Sequence, residues 1–208
     1  MGKGYYFQGD LERVCENLPA AIEQFKNAAS VFQEVLRDDP KESEAESYLA
    51  AARRYAAELM VKNAQLQEAR QCYAEESSRL DELVKENPEV PDYQLYQAYL
   101  WKSIADLEKR EGKITASRDA LERIRRIYAA LSKRFPDVAS HQRDLAVALR
   151  DLAQAEHAAS DEQSAGADLR ESIRLLSDLV RQFPNEVEYA ELLKETQAVK
   201  LSVTAAPN

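Results

Sequence analysis

Four prolines, at 40, 88, 136 and 184, stand 48 residues apart, closing the segments Arg37-Asp38-Asp39-Pro40, Lys85-Glu86-Asn87-Pro88, Lys133-Arg134-Phe135-Pro136 and Arg181-Gln182-Phe183-Pro184. Proline disfavours helix in the residue before it, so each marks the end of a helix that began about twenty residues upstream. A fixed period of this length means one supersecondary unit stacked on the next, because a single unit cannot bury its own apolar face.

Other positions obey the same period. Before each proline lies an apolar pair at i and i+3: Phe32 and Val35, Leu80 and Leu83, Tyr128 and Leu131, Leu176 and Leu179. A small residue recurs at Ala21, Ala69, Ser117 and Ala165, followed four later by Phe25, Tyr73, Leu121 and Leu169. A second small residue recurs at Gly9, Ala57, Ala105 and Ala153, preceded four earlier by Tyr5, Arg53, Trp101 and Leu149. Only Arg53 breaks that pattern. Turn candidates fall between the two blocks: Asn17-Leu18-Pro19 with Asn17 as N-cap, Asn63, Glu111-Gly112-Lys113 and Ser160-Asp161.

Each unit reads as one helical hairpin. The spacing predicts helices near 4–16, 19–38, 42–62, 65–86, 91–110, 114–134, 139–159, 163–182 and 186–201, an all-α chain of about nine helices. With only 5 Gly and 7 Pro in 208 residues, turns are few, and Ala, Leu, Glu, Arg, Lys and Gln lose little entropy in a helix. The repeats divide as 1–40 with an incomplete first helix, 41–88, 89–136 and 137–184, then a capping helix over 185–201 and a disordered tail over 202–208, all within one domain.

The order large, small, turn, small, large, then proline resembles the tetratricopeptide repeat. Tyr5, Gly9, Ala21 and Phe25 match it, as do Trp101, Ala105, Ser117 and Leu121, and Leu149, Ala153, Ala165 and Leu169. The usual unit of that family is 34 residues; here the excess is placed as about two extra turns on each helix. Extended units of this kind are similar to repeat regions of large bacterial signalling proteins. The resemblance implies an α-solenoid of stacked antiparallel hairpins in a right-handed superhelix that binds a partner segment in its concave groove. Tyr6-Phe7-Gln8-Gly9 is also similar to the remnant of a protease tag, but Gly9 and Tyr5 fall on repeat positions, so the stretch is read as part of the first hairpin.

Charge and composition narrow the function. A net charge of −9 argues against nucleic acid as a partner, which needs a basic field. No run of about 18 apolar residues is present to span a membrane in this segment, and the N-terminus lacks the apolar stretch of a signal peptide, so the expected setting is the cytoplasm. Cys15 and Cys72 have no metal-ligand spacing and are read as reduced thiols on helices. No metal, cofactor or catalytic residue is expected: there is no glycine loop for phosphate, His141 falls where Tyr93 and Tyr189 fall in neighbouring units and is structural, and His157, with no partner Cys or His at helical spacing, is a surface residue. The acidic pairs Asp38-Asp39, Glu75-Glu76 and Asp161-Glu162 are read as solvated surface.

Carried over from the resemblance, the first helix of each hairpin lines the groove, which places Tyr6, Arg13, Arg54, Lys62, Tyr99, Lys102, Lys109, Arg110, Val147 and Arg150 along it, with Asp10, Glu58 and Asp106 between them. Arg54, Lys102 and Arg150 occupy one repeat position in three consecutive units. A basic row beside tyrosines suits an acidic peptide or a C-terminal carboxylate. The competing expectation is that these residues form i,i+4 ion pairs, Arg54 with Glu58 and Lys102 with Asp106. Arg118, Arg123, Arg125, Arg126, Lys133 and Arg134 form a second basic cluster that could equally serve as a docking patch. Two function classes therefore stand at this point, a peptide-binding scaffold and an oligomerising spacer or regulatory module of a larger signalling protein, with a helical-bundle enzyme as a distant third.

Overall fold

The computed structural model describes residues 1–204, with side chains described through residue 199. Among the described residues the chain is all-α: α1 (Gly2–Val14), α2 (Leu18–Asp38), α3 (Ser43–Lys62), α4 (Leu66–Glu86), α5 (Pro91–Arg110), α6 (Ile114–Arg134), α7 (Ala139–Ala158), α8 (Glu162–Gln182) and α9 (Val187–Thr204). Eight of these helices lie within two residues of the spans expected from the proline period. The exception is α9, which continues to Thr204 through part of the expected tail; the remainder of that tail lies outside the described residues.

Helices α2, α4, α6 and α8 begin at Leu18, Leu66, Ile114 and Glu162, and each is followed by a residue that donates its amide back to the last turn: Asp39, Asn87, Phe135 and Phe183 bond the carbonyls of Val35, Leu83, Leu131 and Leu179. The proline comes next and cannot continue the helix. The turn inside each hairpin also recurs, with one left-handed residue at Glu16, Ala64, Gly112 and Ser160 (φ of 60°, 61°, 72° and 62°). Only the third turn has the residue suited to that conformation. Asn17 occupies the N-cap position but makes no capping bond; its side-chain amide instead donates to Glu12 Oε2 at 2.9 Å, because the left-handed Glu16 turns it back toward α1.

This recurrence yields a paired prediction. Ala64→Gly should stabilise the protein and Gly112→Ala destabilise it, each by roughly 0.5–1 kcal/mol, with opposite shifts in thermal midpoint. A Cβ at Gly112 would meet nothing within 4 Å, so the backbone conformation alone sets the sign there.

The chain divides into two compact units, Met1–Ser103 and Ile104–Asn208. In the N-terminal unit α1, α2, α3 and α4 pack consecutively around an aromatic cluster. Phe32 stacks on Tyr48 at 5.0 Å between centroids, and Tyr6 meets Phe25 and Tyr48 edge-on at 5.4 and 5.0 Å. Gly9 admits this packing, since a Cβ there would stand 3.1 Å from the Phe25 ring. In the C-terminal unit α7 and α8 bury Ala146, Leu149, Leu175, Leu176 and Leu179, against which Tyr189, Leu192 and Leu193 of α9 pack. Two buried serines satisfy themselves on helix carbonyls: Ser117 donates to Ala105 at 2.9 Å and Ser172 to Ala146 at 2.6 Å.

Candidate functional site in the N-terminal unit

Between α3, α4 and α5 the N-terminal unit carries a cleft of about 130 Å³. Its walls are apolar where Ala50, Leu80 and Leu100 face it, and polar where Arg54, Tyr96 and Glu76 do. The small side chains of Ala50 and Ala51 on α3 leave the space. Tyr99 stands exposed at the edge, while burial pushes the Tyr96 phenol above the ordinary tyrosine value.

Behind the cleft lies a charged network that the sequence reading misplaced. Glu76, taken there as solvated, is 2% exposed. It accepts from Arg53 at 2.8 Å and is bonded twice by Arg79, at 2.9 Å through Nε and by a shorter contact through its terminal nitrogen. Arg79 also reaches the buried Glu46 on α3 at 2.6 Å, and Arg53 reaches Gln33 on α2 at 3.0 Å. The repeat explains why these residues meet. Arg53 stands where other hairpins have Tyr5, Trp101 and Leu149; Glu76 where they have Ala28, Ile124 and Ser172; Arg79 where they have Val31, Ile127 and Leu175. The one break noticed in the pattern was thus one corner of a mutually compensating set. The two carboxylates hold the Arg79 guanidinium above its usual pKa although burial works against its charge.

Seven of the ten expected groove residues fall into three groups. Tyr6 belongs to the aromatic cluster, where burial first and the neighbouring Tyr55 second push its phenol up to about 12. Arg13, Lys62, Lys109 and Arg110 sit exposed in the last turns of α1, α3 and α5, where a cation complements the helix dipole. Arg13 is bonded to Asp10 at 2.6 Å. Arg54 and Tyr99 are brought together by the cleft.

The basic row is largely neutralised where its contacts are described. Arg54 bonds Glu58 at 2.6 Å and lies 4.2 Å from the centre of the Tyr55 ring. Glu58 in turn accepts from Ser103 on α5 at 2.5 Å. Burial opposes the Arg54 charge, but Glu58 and Tyr55 outweigh it and raise its pKa. Lys102 is exposed on α5. In the C-terminal unit Arg150 bonds Asp151 at 3.2 Å and Glu195 of α9 at 3.1 Å, and Val147 is half-buried on the same helix. Of the second basic cluster, Arg125 and Arg126 share Glu122 at 2.6 and 2.9 Å.

No protein-family model matches the chain, and no curated protein matches it in sequence. Among the described residues no three His, Cys, Asp or Glu side chains are placed to hold a metal ion, and no helix is long and apolar enough to cross a membrane. His141 is buried with its ring 6.0 Å from that of Phe135, and Nδ1 of His157 lies 2.7 Å from Glu162. Cys15 is exposed just past the end of α1 rather than on a helix, and burial raises the Cys72 thiol above its ordinary value, which works against a reactive thiolate.

Proposed function

We propose that this protein is an interaction scaffold of the tetratricopeptide type that binds an extended segment of a partner protein across the cleft between α3, α4 and α5. The observation that carries this reading is the cleft's composition. Alanine and leucine lie beside two tyrosines, and the charged lining is Arg54 with Glu76, the latter already bonded by Arg53 and Arg79. Such a site suits an apolar side chain as anchor and a neighbouring carboxylate as the polar contact. The carboxylate would compete with Glu58 for Arg54. That exchange is close to balanced, because a half-exposed i,i+4 pair contributes only a few tenths of a kcal/mol, roughly 0.3–0.5. Specificity then rests on the anchor, and the acidic residue adds register.

The free thiols of Cys15 and Cys72 support a reducing, cytoplasmic setting. Helical hairpins recurring at one spacing, with no catalytic constellation recognised in the sequence, support binding over catalysis.

The reading is tested by fluorescence anisotropy with a library of peptides pairing an apolar residue with Asp or Glu. Tyr99→Ala should weaken binding about tenfold, and Ala51→Trp, which fills the cleft, should abolish it. Arg54→Ala should weaken acidic peptides selectively. Equal binding by wild type and Ala51→Trp would reject the site.

A further inference from the structure

We propose that the outer face of α1 is a self-association surface on which a second copy of this chain packs its own α1, giving a closed two-fold dimer. The face carries Met1, Gly4, Phe7, Leu11 and Val14, spaced to fall on one side of a helix. Of the nine large apolar residues most exposed among the described residues, Met1, Phe7, Leu11 and Val14 are four, all within one helix and its cap. The other five are scattered singly.

The repeat shows that this exposure is anomalous for the position. Leu11 is 57% exposed, whereas Leu59 and Leu107, which hold the same repeat position, are each 2% exposed. Gly4 is exposed as well, while its counterparts Ala52, Leu100 and Ala148 are all buried. The positions of Gly4 and Leu11, which α3 and α5 bury, are therefore open on α1, and at Val14, where α3 and α5 expose Lys62 and Arg110, α1 exposes an apolar residue instead.

Among the described residues α9 does not supply a matching surface. Helix α9 turns Tyr189, Leu192 and Leu193 inward and exposes Glu188, Glu191, Lys194 and Glu195. Stacking α9 of one copy on α1 of another would lay an apolar stripe on a charged one, whereas a second α1 offers a stripe of the same character. An antiparallel pair crossing between Phe7 and Gln8 sets Gly4 of one copy beside Leu11 of the other, and Met1 beside Val14. Nothing lies within 4 Å of a Cβ built at Gly4, which leaves that space for the facing leucine. Asp10 and Arg13 neutralise each other at the border, so the pairing brings no like charges together. A contact made by one pair of short helices belongs with the weak, transient interfaces, and its dissociation constant is expected on the order of micromolar. The isologous arrangement closes at two copies.

Sedimentation velocity and light scattering on the full chain, from about 1 to about 500 µM, test the proposal over the range where weak pairs assemble. Wild type should reach twice its 23.6 kDa mass. Leu11→Glu and Gly4→Glu should each weaken dimerisation at least tenfold, and Val187→Glu, an exposed apolar residue on α9, should leave it unchanged. Gly4→Glu replaces a helical glycine at an open position, so its monomer should melt no lower than wild type, which separates loss of association from loss of folding. A wild type that stays monomeric throughout would assign the stripe to some other partner and overturn the proposal. So would dimers that survive both glutamate variants, or assemblies that grow beyond two copies.

Discussion

Glu76→Ala is expected to destabilise the protein by about 3–5 kcal/mol, more than any single truncation on its surface. The carboxylate is 2% exposed and is bonded by two arginines, so its loss leaves Arg53 and Arg79 partly buried with too few partners. Glu46 would still hold one edge of Arg79, but Arg53 would keep only the neutral Gln33. The cost is that of stranding charge rather than the net worth of an ion pair. That distinction is testable. Changing the whole set to the residue types found at the same positions in the other hairpins (Arg53→Leu, Glu76→Ala, Arg79→Val and Glu46→Gln) should recover most of the loss and bring stability near that of wild type. Urea unfolding of the single and quadruple variants decides it. If Glu76→Ala costs less than about 1 kcal/mol, or the quadruple variant is as unstable as the single one, the network is not a buried, mutually satisfied unit.

Why one hairpin carries charge where its neighbours carry uncharged residues follows from where the set lies. Glu76 belongs both to the network and to the cleft wall. An apolar residue there would deepen the cleft's greasy floor, whereas a neutralised carboxylate gives it a fixed polar group without net charge. The cost of assembling such a set in the interior is conformational precision: each arginine is held by more than one acceptor, which orients the α3 and α4 side chains facing the cleft.

The period of 48 made the fold legible because it reports backbone needs that repeat: a proline after each second helix and a small residue at each close approach; the left-handed residue at each hairpin turn repeats too, but as Glu16, Ala64, Gly112 and Ser160 it is marked by residue type only once. Those constraints act locally and leave a mark at a fixed spacing. The site was less legible because it depends on departures from the repeat. Arg53 was visible as a departure, but Glu76 and Arg79 look like ordinary solvated charges until they are aligned with Ile124 and Leu175. Comparing each charged residue with its counterparts 48 residues away would have found them. The basic row at Arg54, Lys102 and Arg150 was legible as a row, yet its sequence neighbours could not reveal that Glu195 of α9 reaches Arg150 or that Glu58 is shared with Ser103. Asn17 stands at the N-cap of α2 as its type suggests, but type alone does not tell that no capping bond forms, since the adjacent left-handed Glu16 decides where its amide points.

In the C-terminal unit, Glu156→Gln is expected to raise stability at pH 8 by roughly 3 kcal/mol and to do almost nothing at pH 4. Glu156 is 8% exposed on α7, and its Oε2 has no hydrogen-bond partner. Burial, followed by repulsion from Asp168 of α8, pushes its pKa up to about 7; Asp161 in the turn and Glu122 of α6 push the same way, and Arg118 of α6 only partly offsets them. The sign follows from the two states. Below about pH 4.5 the carboxyl is protonated whether the chain is folded or not, and the group carries no penalty. As pH rises the unfolded chain ionises first while the folded one holds its proton. Stability contributed by the protonated group is therefore lost progressively from about pH 4.5 to about pH 7, and above that the ionised carboxylate stays buried at full cost. Glutamine removes the titration and retains the shape. Asp168, also raised by burial, adds a smaller loss in the same direction, whereas Glu122 and Glu171, lowered by their arginines, lose their contribution as pH falls. The net profile of wild type mixes these, so the difference between wild type and Glu156→Gln is the quantity to follow, by urea unfolding at half-unit steps from about pH 4 to about pH 8. A difference that does not change across that interval would mean that Glu156 titrates with the same pKa in the folded and unfolded chain, its burial offset by a partner supplied by rearrangement of Arg118.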